Sequence, residues 1–337
     1  MRITVVVIAY NLQHFVGDAI RSVLAQTREA EEVIVVDDCS TDGTAAVIRS
    51  FGDRVKFLAM PENSGALVTA LRGVKEATGD IICMLDGDDY WSANKIEVVE
   101  SEFSANPSLM LLSHDHIRVD TAGRELGVRD ETHFNVEALR GLASSQNELS
   151  RSFKRTILEQ RGYWLGSAYA FRRKCFDTEL FEKQLATFGL EKLHDTYLDL
   201  VVAPFLVLTN PNSDVGYAPD AMLYYRIHDR GSLAGNTTRE KAIGSAKKGK
   251  AINELIYSIL LQNKADQSYM HRRVRILREY DYLVALYSAE WFKALRIYFE
   301  LLLGFWNIRQ AKKESKRLVA VRLLGVRRFL AMKERQA

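Results

Sequence analysis

Three aspartates lie within four residues at the end of an apolar run, Ile81-Ile-Cys-Met-Leu-Asp86-Gly-Asp88-Asp89. Carboxylates this close repel one another unless a cation lies between them, and a divalent ion bound by oxygen is the usual solution. Such an ion would also bind a phosphorylated ligand. The alternative is a charged turn without a ligand, although the apolar lead-in favours carboxylates that are partly buried. The spacing therefore predicts phosphate chemistry.

A second acidic cluster follows an earlier apolar run. The sequence Glu32-Val-Ile-Val-Val-Asp37 continues into Asp38-Cys39-Ser40-Thr41-Asp42. Asp and Ser side chains also cap helices, and for this cluster alone that alternative stays open. Because both clusters end strand-length apolar runs, we expect them to meet at one edge of a sheet.

The elements that must position these acids alternate along the first hundred residues. Apolar runs predict strands at 3–9, 32–37, 54–58 and up to Leu85, and helical spacing predicts helices near 15–24, 42–51 and 67–74. This order predicts an α/β fold with a mainly parallel sheet flanked by helices. Ligands of such sheets bind at the carboxyl ends of the strands, where Tyr10 would join both acidic clusters.

The rest of the chain is less regular and then helical. Strand-like runs occur at 109–113, 168–171 and 223–227, with a helical stretch near 193–206. Beyond about residue 240 the pattern is wholly helical. One predicted helix face consists of Ile276, Leu277, Tyr280, Leu283, Val284 and Tyr287.

Composition places the chain among globular proteins. Its 337 residues are 47% apolar and 26% charged, with three widely spaced cysteines that fit a reducing compartment. There is no signal-peptide pattern and no run of eighteen uncharged apolar residues, which predicts a cytoplasmic protein without a simple membrane-spanning helix. Residues 309–337 carry ten Lys/Arg against two Glu, so the remainder is net acidic. This asymmetry predicts an acidic partner for the tail.

Together the motifs resemble those of family 2 glycosyltransferases, inverting enzymes with the GT-A nucleotide-sugar fold. The resemblance covers roughly residues 1–235 and departs from the family's usual pattern at Ala9 and Cys39. It is carried by four segments in order: Val7-Ile-Ala9-Tyr10-Asn11, Val23-Leu-Ala-Gln26-Thr27, Val35-Val-Asp37-Asp38-Cys39-Ser40-Thr41-Asp42-Gly43 and Leu85-Asp86-Gly87-Asp88-Asp89. It implies a nucleotide-sugar-binding half at 1–108 and an acceptor-binding and catalytic-base half at 109–238. The helical pattern predicts a helical C-terminal region at 239–337, which is basic and amphipathic.

The resemblance also implies a donor site. Ala9 and Tyr10 would lie against the nucleotide base, Asp38 would bind the base edge and Asp86 would approach the ribose. A carboxylate can accept the imide N–H of uracil or thymine, which favours a UDP-sugar or a dTDP-sugar. Asp88 and His228, the latter in Tyr225-Arg-Ile-His228, would bind Mn²⁺ or Mg²⁺. For His228 an exposed loop histidine is the alternative.

The same resemblance implies an acceptor site. Asp195 would be the general base that deprotonates the acceptor hydroxyl, although it could instead cap the following helix. Gly166, Ser167 and Trp164 would lie near the two sugars, with core packing as the alternative for Trp164. The sequence His114-Asp115-His116 is either a strand end that lines the acceptor site or a local polar turn.

The partners expected are a nucleotide-sugar donor and a glycan or lipid-linked acceptor of cell-surface polysaccharide synthesis. Basic and apolar residues alternate through 291–337, which predicts peripheral contact with an anionic membrane at its inner face. Packing of these helices on the catalytic domain or on a second subunit is the alternative, and no nucleic-acid motif is present. A non-catalytic nucleotide-binding module and a metal-dependent phosphohydrolase remain as other function classes.

Overall fold

The computed structural model describes residues 1–126, 139, 141–159, 165–188, 194, 196, 199–228 and 238–334. Two of the predicted site residues, Trp164 and Asp195, lie outside these ranges. The chain divides into two compact units, Met1–His228 and Asp229–Ala337. The predicted boundaries at 108 and 238 stay predictions.

The first unit is built on one mixed sheet with helices around it. Its strands are β1 Ile3–Ala9, β2 Glu32–Asp37, β3 Lys56–Ala59, β4 Ile81–Asp86, β5 Tyr90–Trp91, β6 Leu109–Val119, β7 Ala170–Arg172 and β8 Asp214–Arg226. Its helices are α1 Val16–Leu24, α2 Thr44–Arg49, α3 Ala66–Glu76, α4 Lys95–Ala105, α5 Gln146–Glu159, α6 Thr178–Ala186 and α7 Asp199–Thr209. Short 3₁₀ turns occur at Gly52–Arg54, Gly166–Ala168 and Arg173–Cys175.

The described strands lie in the order β3-β2-β1-β4-β7-β6-β8-β5. Only β5 and β7 run against the other six. Every residue of β1 is buried, as expected for a strand with helices on both sides. One face of β1 packs on Ala19 and Ile20 of α1. On the other face, α3 approaches so closely that a Cβ on Gly73 would lie 2.3 Å from a methyl carbon of Val6. The predicted mainly parallel sheet flanked by helices is therefore confirmed.

Two strands in the middle of the chain are longer than their sequence patterns predict. β6 continues through His114-Asp115-His116 to Val119, and β8 begins at Asp214 rather than near residue 223. The two strands pair in parallel from Leu109 and Asp214 to Val119 and Arg226, with irregular register near Asp115. Each strand provides hydrogen-bond partners for the backbone of the other. The strands therefore continue through polar residues, where the apolar sequence pattern alone would predict their ends.

The second unit consists of helices in its described part, as predicted. These are α8 Arg239–Gln262, α9 Gln267–Tyr287, α10 Trp291–Gly304 and α11 Ile308–Glu334. Side chains from all four helices form one core, among them Ala242, Tyr282, Ile297, Leu301 and Val321. No helix among the described residues is long and apolar enough to cross a membrane.

The predicted apolar face of α9 lies on a helix, as expected, but it does not contain the fully buried side chains of that helix. The side chains that α9 buries are Arg273, Tyr282, Ala285 and Leu286. The predicted face, from Ile276 to Tyr287, is only half-buried. The buried direction is set by the neighbouring helices, which sequence periodicity alone cannot place when a helix is contacted on more than one side.

Candidate active site

The carboxyl ends of three neighbouring strands bring the first predicted site residues together. In the parallel register Ala9 lies beside Asp37, and Ile8 lies beside Asp86. Tyr10 follows Ala9 directly and its side chain is 42% exposed. Ala9 itself is buried, so it contributes backbone and a small wall to this edge, whereas Tyr10 presents an aromatic surface to solvent.

The loops after β1 and β2 are hydrogen-bonded to each other. The Asn11 amide N–H donates to Ser40 Oγ at 2.8 Å, and the Thr41 N–H donates to Asn11 Oδ1 at 2.8 Å. The Leu12 N–H donates to Thr44 Oγ1 at 2.7 Å. Asn11 and Cys39 adopt left-handed backbone conformations, with φ of 54° and 60°. The two loops therefore form one continuous surface at the carboxyl edge of the sheet, which hydrogen bonds between Asn11, Leu12 and the Ser40–Thr44 segment hold together.

Asp38 anchors a third loop. Its two carboxylate oxygens accept the backbone N–H groups of Ser64 and Gly65, each at 2.8 Å, and the side chain is buried. Gly65 directly precedes α3 with φ of 86°, and a Cβ there would lie 2.1 Å from the carbonyl oxygen of His194. Asp38 thus binds the two residues that lead into α3 and fixes the Gly65 backbone, which lies against the residue that precedes Asp195.

The acidic loop after β4 passes very close to the end of β1. The Gly87 N–H donates to the Ile8 carbonyl at 2.8 Å, and a Cβ on Gly87 would lie 2.8 Å from that same oxygen. The Asp89 N–H donates to the Asp86 carbonyl at 3.0 Å, which closes the turn. Only glycine fits at 87 without moving β1. Asp86 and Asp88 are left half-buried, while Asp89 points inward and is buried.

Asp89 joins the acidic loop to two other parts of the sheet. Its Oδ1 accepts the backbone N–H of Arg226 at 3.0 Å, and its Oδ2 accepts the Ser167 hydroxyl at 2.8 Å. Burial, together with the nearby charges of Asp88 and Asp86, raises the pKa of Asp89 well above its usual range. Both oxygens of Asp89 are used inside the protein, so this carboxylate is structural.

Ser167 connects the acidic loop to α4. Its Oγ accepts the Asp86 N–H at 3.0 Å, and its carbonyl accepts the Trp91 indole N–H at 2.9 Å and the Lys95 ammonium at 2.8 Å. Ser167 is 1% exposed, beside the buried Gly166. The predicted sugar-binding roles of Gly166 and Ser167 stay predictions, and the geometry adds a positioning role beneath the loop.

Lys95 is a buried cation that the sequence analysis did not identify. Its ammonium lies 3.8 Å from the centroid of the Trp91 ring, and burial lowers the pKa of Lys95 to about 7. The nearby charges of Cys83 and Asp89 act in the opposite direction. Nothing in the sequence distinguishes Lys95 from a surface lysine at the start of a helix, because its burial depends on the distant Ser167.

The two predicted metal ligands are in direct contact. His228 Nε2 lies 3.0 Å from Asp88 Oδ2, with 6% of the His228 side chain and 26% of the Asp88 side chain exposed. Adjacent ligand atoms of an octahedral ion with bonds of about 2.1 Å lie about 3 Å apart. The described residues contain no group of three His, Cys, Asp or Glu side chains that could hold a metal. The pair therefore fits an ion that completes its coordination with phosphate oxygens and water.

Comparison with known proteins identifies the family. Residues 4–169 match the model of the family described as glycosyl transferase family 2. The matched part of the chain belongs to this family. It has 16% sequence identity with the mannosyltransferase PcManGT of Pyrobaculum calidifontis, whose structure in complex with GDP-Man and Mn²⁺ superposes with a TM-score of 0.53 over 98% of this chain and 85% of that one. Similarity at this level shows the fold, which is GT-A.

Two curated relatives match part of this glycosyltransferase. One is the UDP-Glc:alpha-D-GlcNAc-diphosphoundecaprenol beta-1,3-glucosyltransferase WfgD of Escherichia coli, 37% identical over 28% of this chain and 38% of that protein. The other is the succinoglycan biosynthesis protein ExoO of Rhizobium meliloti, 34% identical over 38% of this chain and 37% of that protein. The alignments thus span less than two thirds of either relative.

The glycosyltransferase also contains a buried arginine next to the predicted metal ligands. The Arg226 guanidinium donates to Asp18 Oδ2 at 3.1 Å, and its central carbon lies 4.7 Å from the ring centroid of Phe15 and 5.2 Å from that of Tyr90. This side chain is 3% exposed. It joins α1, β5 and β8 directly beside His228, which packs its own ring on Phe15 at 5.0 Å. The sequence motif marked Arg226 but did not indicate this role.

The expected placement of His114-Asp115-His116, at a strand end or in a local turn, is wrong. These residues lie inside β6, neither at a strand end nor in a turn. His114 is 2% exposed, and burial lowers its pKa well below the usual range. It therefore cannot line an open acceptor site in this conformation. The strand continues through it because β8 pairs with β6 on both sides of this segment.

Proposed function

We propose that this family 2 enzyme is a metal-dependent inverting glycosyltransferase that acts in cell-surface polysaccharide synthesis. It would move a sugar from a UDP-sugar, or a dTDP-sugar, to a hydroxyl of a glycan or lipid-linked acceptor. The observation that carries the proposal is the contact between Asp88 and His228 at the carboxyl edge of the sheet. A half-buried carboxylate and a buried imidazole at this edge suit a cation that faces a diphosphate.

The donor diphosphate would bind through a divalent cation, Mn²⁺ or Mg²⁺, held by Asp88 and His228. When bound, the ion stabilises negative charge on the departing diphosphate. The Mn²⁺ in the PcManGT complex supports this assignment. In this chain, Asp89, Ser167 and Lys95 hold the acidic loop so that Asp88 stays at the edge.

The nucleoside would bind against the surface formed by the loops after β1 and β2. Tyr10 would stack on the base, Ala9 would allow close approach, and Asp86 would bind the ribose. Asp38 uses one lone pair of each oxygen to accept the N–H groups of Ser64 and Gly65, which leaves acceptor capacity for a base N–H. The name of WfgD supports UDP as the nucleotide, whereas the GDP-Man in the PcManGT complex indicates that the fold alone does not select it.

The acceptor would approach from the opposite side of the sugar, near Gly166, Ser167 and Trp164. Asp195 would take the proton from its hydroxyl. The acceptor oxygen then forms a bond to the anomeric carbon while the bond from that carbon to the diphosphate oxygen breaks. The electron pair of the broken bond leaves with the nucleoside diphosphate, and the configuration at the anomeric carbon inverts.

Two finer proposals concern partners and location. The lipid-linked acceptor in the name of WfgD supports an enzyme that works at a membrane surface. We place it in the cytoplasm at the inner face of the cell membrane, with peripheral contact through 291–337. Self-association through the same helices is the competing proposal.

The experiment is a screen of nucleotide sugars with the purified full chain, with and without Mn²⁺ and Mg²⁺. We expect release of UDP or dTDP from one donor, lost when the ion is chelated. Release of inorganic phosphate would instead indicate a phosphohydrolase. Binding of a nucleotide without turnover, even with a set of lipid-linked acceptors, would indicate a binding module.

A further inference from the structure

The helix α10, Trp291–Gly304, presents a row of apolar side chains to solvent. Phe292 is 92% exposed, Leu295 39%, Phe299 54% and Leu303 86%. Their spacing of three, four and four residues places them on one side of the helix, about 16 Å from first to last. We call these four residues the α10 stripe. A contiguous exposed apolar row of this kind marks an interaction surface.

The α10 stripe is not the face that α10 uses for folding. The side chains that α10 buries in the helical unit are Ala294, Ile297, Tyr298 and Leu301. At 100° per residue these point away from the stripe, nearly on the opposite side of the helix. The helix therefore has two apolar faces, of which folding of this unit covers one.

Charge indicates what covers the other face. The sequence of the unit Asp229–Ala337 contains 23 Lys/Arg and 10 Asp/Glu, a net charge of +13, while the unit Met1–His228 contains 23 and 33, a net charge of −10. Two basic side chains lie on α10 itself: Lys293 pairs with Glu290 and is 52% exposed, and Arg296 pairs with Glu300 and is 72% exposed. Arg296 is next to the stripe around the helix, so its long side chain can extend from an apolar surface to a charged one.

We infer that the α10 stripe is a membrane-insertion face, and that its partner is the surface of an anionic lipid bilayer. A bilayer interface offers apolar chains to Phe292, Leu295, Phe299 and Leu303, and acidic headgroups to the surrounding cations. The stripe is about half as long as the hydrocarbon core is thick, so α10 lies in the plane of the interface rather than across it.

The competing partners fit less well. A second copy of the chain bound through the same stripe would bring together two helical units that each carry +13, and like charges oppose such an interface. Nucleic acid would engage the cations but leave the apolar stripe in water, because its outer surface consists of phosphates. An anionic bilayer satisfies both the charge and the apolar row.

The α10 stripe can be tested separately from the basic residues 309–337. Val321 of α11 is completely buried in the core of the helical unit, so deletion of 309–337 would disrupt the fold as well as remove charge. Substitutions on the stripe avoid this problem because the altered side chains contact mainly solvent. The inference does not depend on the proposed transferase activity, since vesicle binding is measured without donor or acceptor.

The test is co-sedimentation of the full chain with vesicles. The variants are Phe292→Ser/Leu303→Ser on the stripe, and Leu261→Ser, a 60% exposed leucine on α8, as the matched control. We expect the wild type and the control to bind phosphatidylcholine–phosphatidylglycerol vesicles equally, and to bind pure phosphatidylcholine weakly. The stripe variant should bind at least about tenfold more weakly, because two inserted side chains are lost.

Three results would overturn the inference. The stripe variant could bind anionic vesicles as well as the wild type, which would assign binding to the basic residues alone. The wild type could fail to bind them at low salt. Sedimentation equilibrium could also show a wild-type dimer that the stripe variant dissociates while vesicle binding stays absent, which would make a second copy the partner.

Discussion

The three carboxylates of the acidic loop have different environments, and this difference divides their roles. Asp89 is buried and uses both oxygens to bind Arg226 and Ser167. Asp88 reaches the edge of the sheet, where it contacts His228. Asp86 ends β4 with its side chain half-buried. Asp89 therefore fixes the loop, Asp88 contacts the second predicted metal ligand, and the ribose role of Asp86 stays a prediction.

At this scale the sequence predicts which residues cluster but not how each is used. The acids of Asp37–Asp42 and Asp86–Asp89 could be predicted because strand ends in a parallel sheet share an edge. The position of Lys95 could not, because a buried lysine is recognised only by its partners, here the Ser167 carbonyl and the Trp91 ring. The contact of Arg226 with Asp18 joins residues 208 positions apart.

Asp195 provides a prediction about a single residue. If it is the general base, Asp195→Asn should lower the rate of sugar transfer by about 10²- to 10⁴-fold, because the acceptor hydroxyl is no longer deprotonated. Donor affinity should change little. The measurement is transfer rate and donor Kd for the same variant, once a donor is known.

The control for this prediction is Asp53→Asn. Asp53 is exposed in the turn that precedes β3, at the amino end of a strand and away from the carboxyl edge. It should behave like the wild type. A loss of donor affinity as large as the loss of transfer rate in Asp195→Asn would contradict the general-base assignment.

Several elements meet at Ser167, and together they set the position of the acidic loop. In the 3₁₀ turn Gly166–Ala168, the Ser167 Oγ contacts the acidic loop and the Ser167 carbonyl contacts Lys95 of α4. From β8, the backbone N–H of Arg226 donates to Asp89 of the same loop. Hydrogen bonds in such a buried network support one another in a low-dielectric interior. Rigid support of this kind keeps ligand groups in place before the ligand binds.

Because Lys95 is buried in this network, the free energy of unfolding should depend on pH. The pKa of Lys95 is lowered by burial to about 7 in the folded state. Between pH 7 and the unfolded pKa, the unfolded chain binds more protons than the folded chain, so the free energy of unfolding rises with pH. One group contributes at most about 1.4 kcal/mol per pH unit. Burial also raises the pKa of the Cys83 thiol to about 11, so above pH 9 this thiol makes the free energy of unfolding fall as pH rises. The effect of Lys95 is therefore best measured below about pH 8.5.

The measurement is urea unfolding from pH 7 to 8.5, comparing the wild type with Lys95→Met. We expect the rise of the unfolding free energy with pH to be steeper in the wild type, since methionine has no proton to release. Lys75→Met, which removes an exposed lysine paired with Glu182, is the matched control and should keep the wild-type slope. Equal slopes for the wild type and Lys95→Met would contradict the assigned pKa.

At the level of elements, the sequence predicts helices and strands well where the local apolar pattern matches the burial of the element. β1 and α1 follow their apolar patterns closely, because sheet and helix bury each other's apolar residues. β6 and β8 extend beyond their apolar patterns, because pairing between distant strands satisfies polar backbone groups. The buried face of α9 is set by three neighbouring helices and could not be predicted from α9 alone.

On the scale of the whole molecule, the chain joins an acidic GT-A unit to a strongly basic helical unit. The sequence predicts the basic tail, but only the division at His228 shows that the whole helical unit carries +13. The proposed substrates concern the first unit and the proposed bilayer contact concerns the second, so the two proposals can fail separately. A net charge of −10 on the first unit opposes binding of a diphosphate, and a local cation would offset this repulsion, which makes the metal pair the central claim.

The most direct test is the binding of Mn²⁺ to the full chain with the nucleoside diphosphate that the donor screen selects. The loss of the electron paramagnetic resonance signal of free Mn²⁺ reports binding without any need for turnover. We predict that Asp88→Asn and His228→Gln weaken Mn²⁺ binding by at least about tenfold, and that Asp53→Asn leaves it unchanged. Equal Mn²⁺ affinity in the wild type and in both site variants would contradict the account.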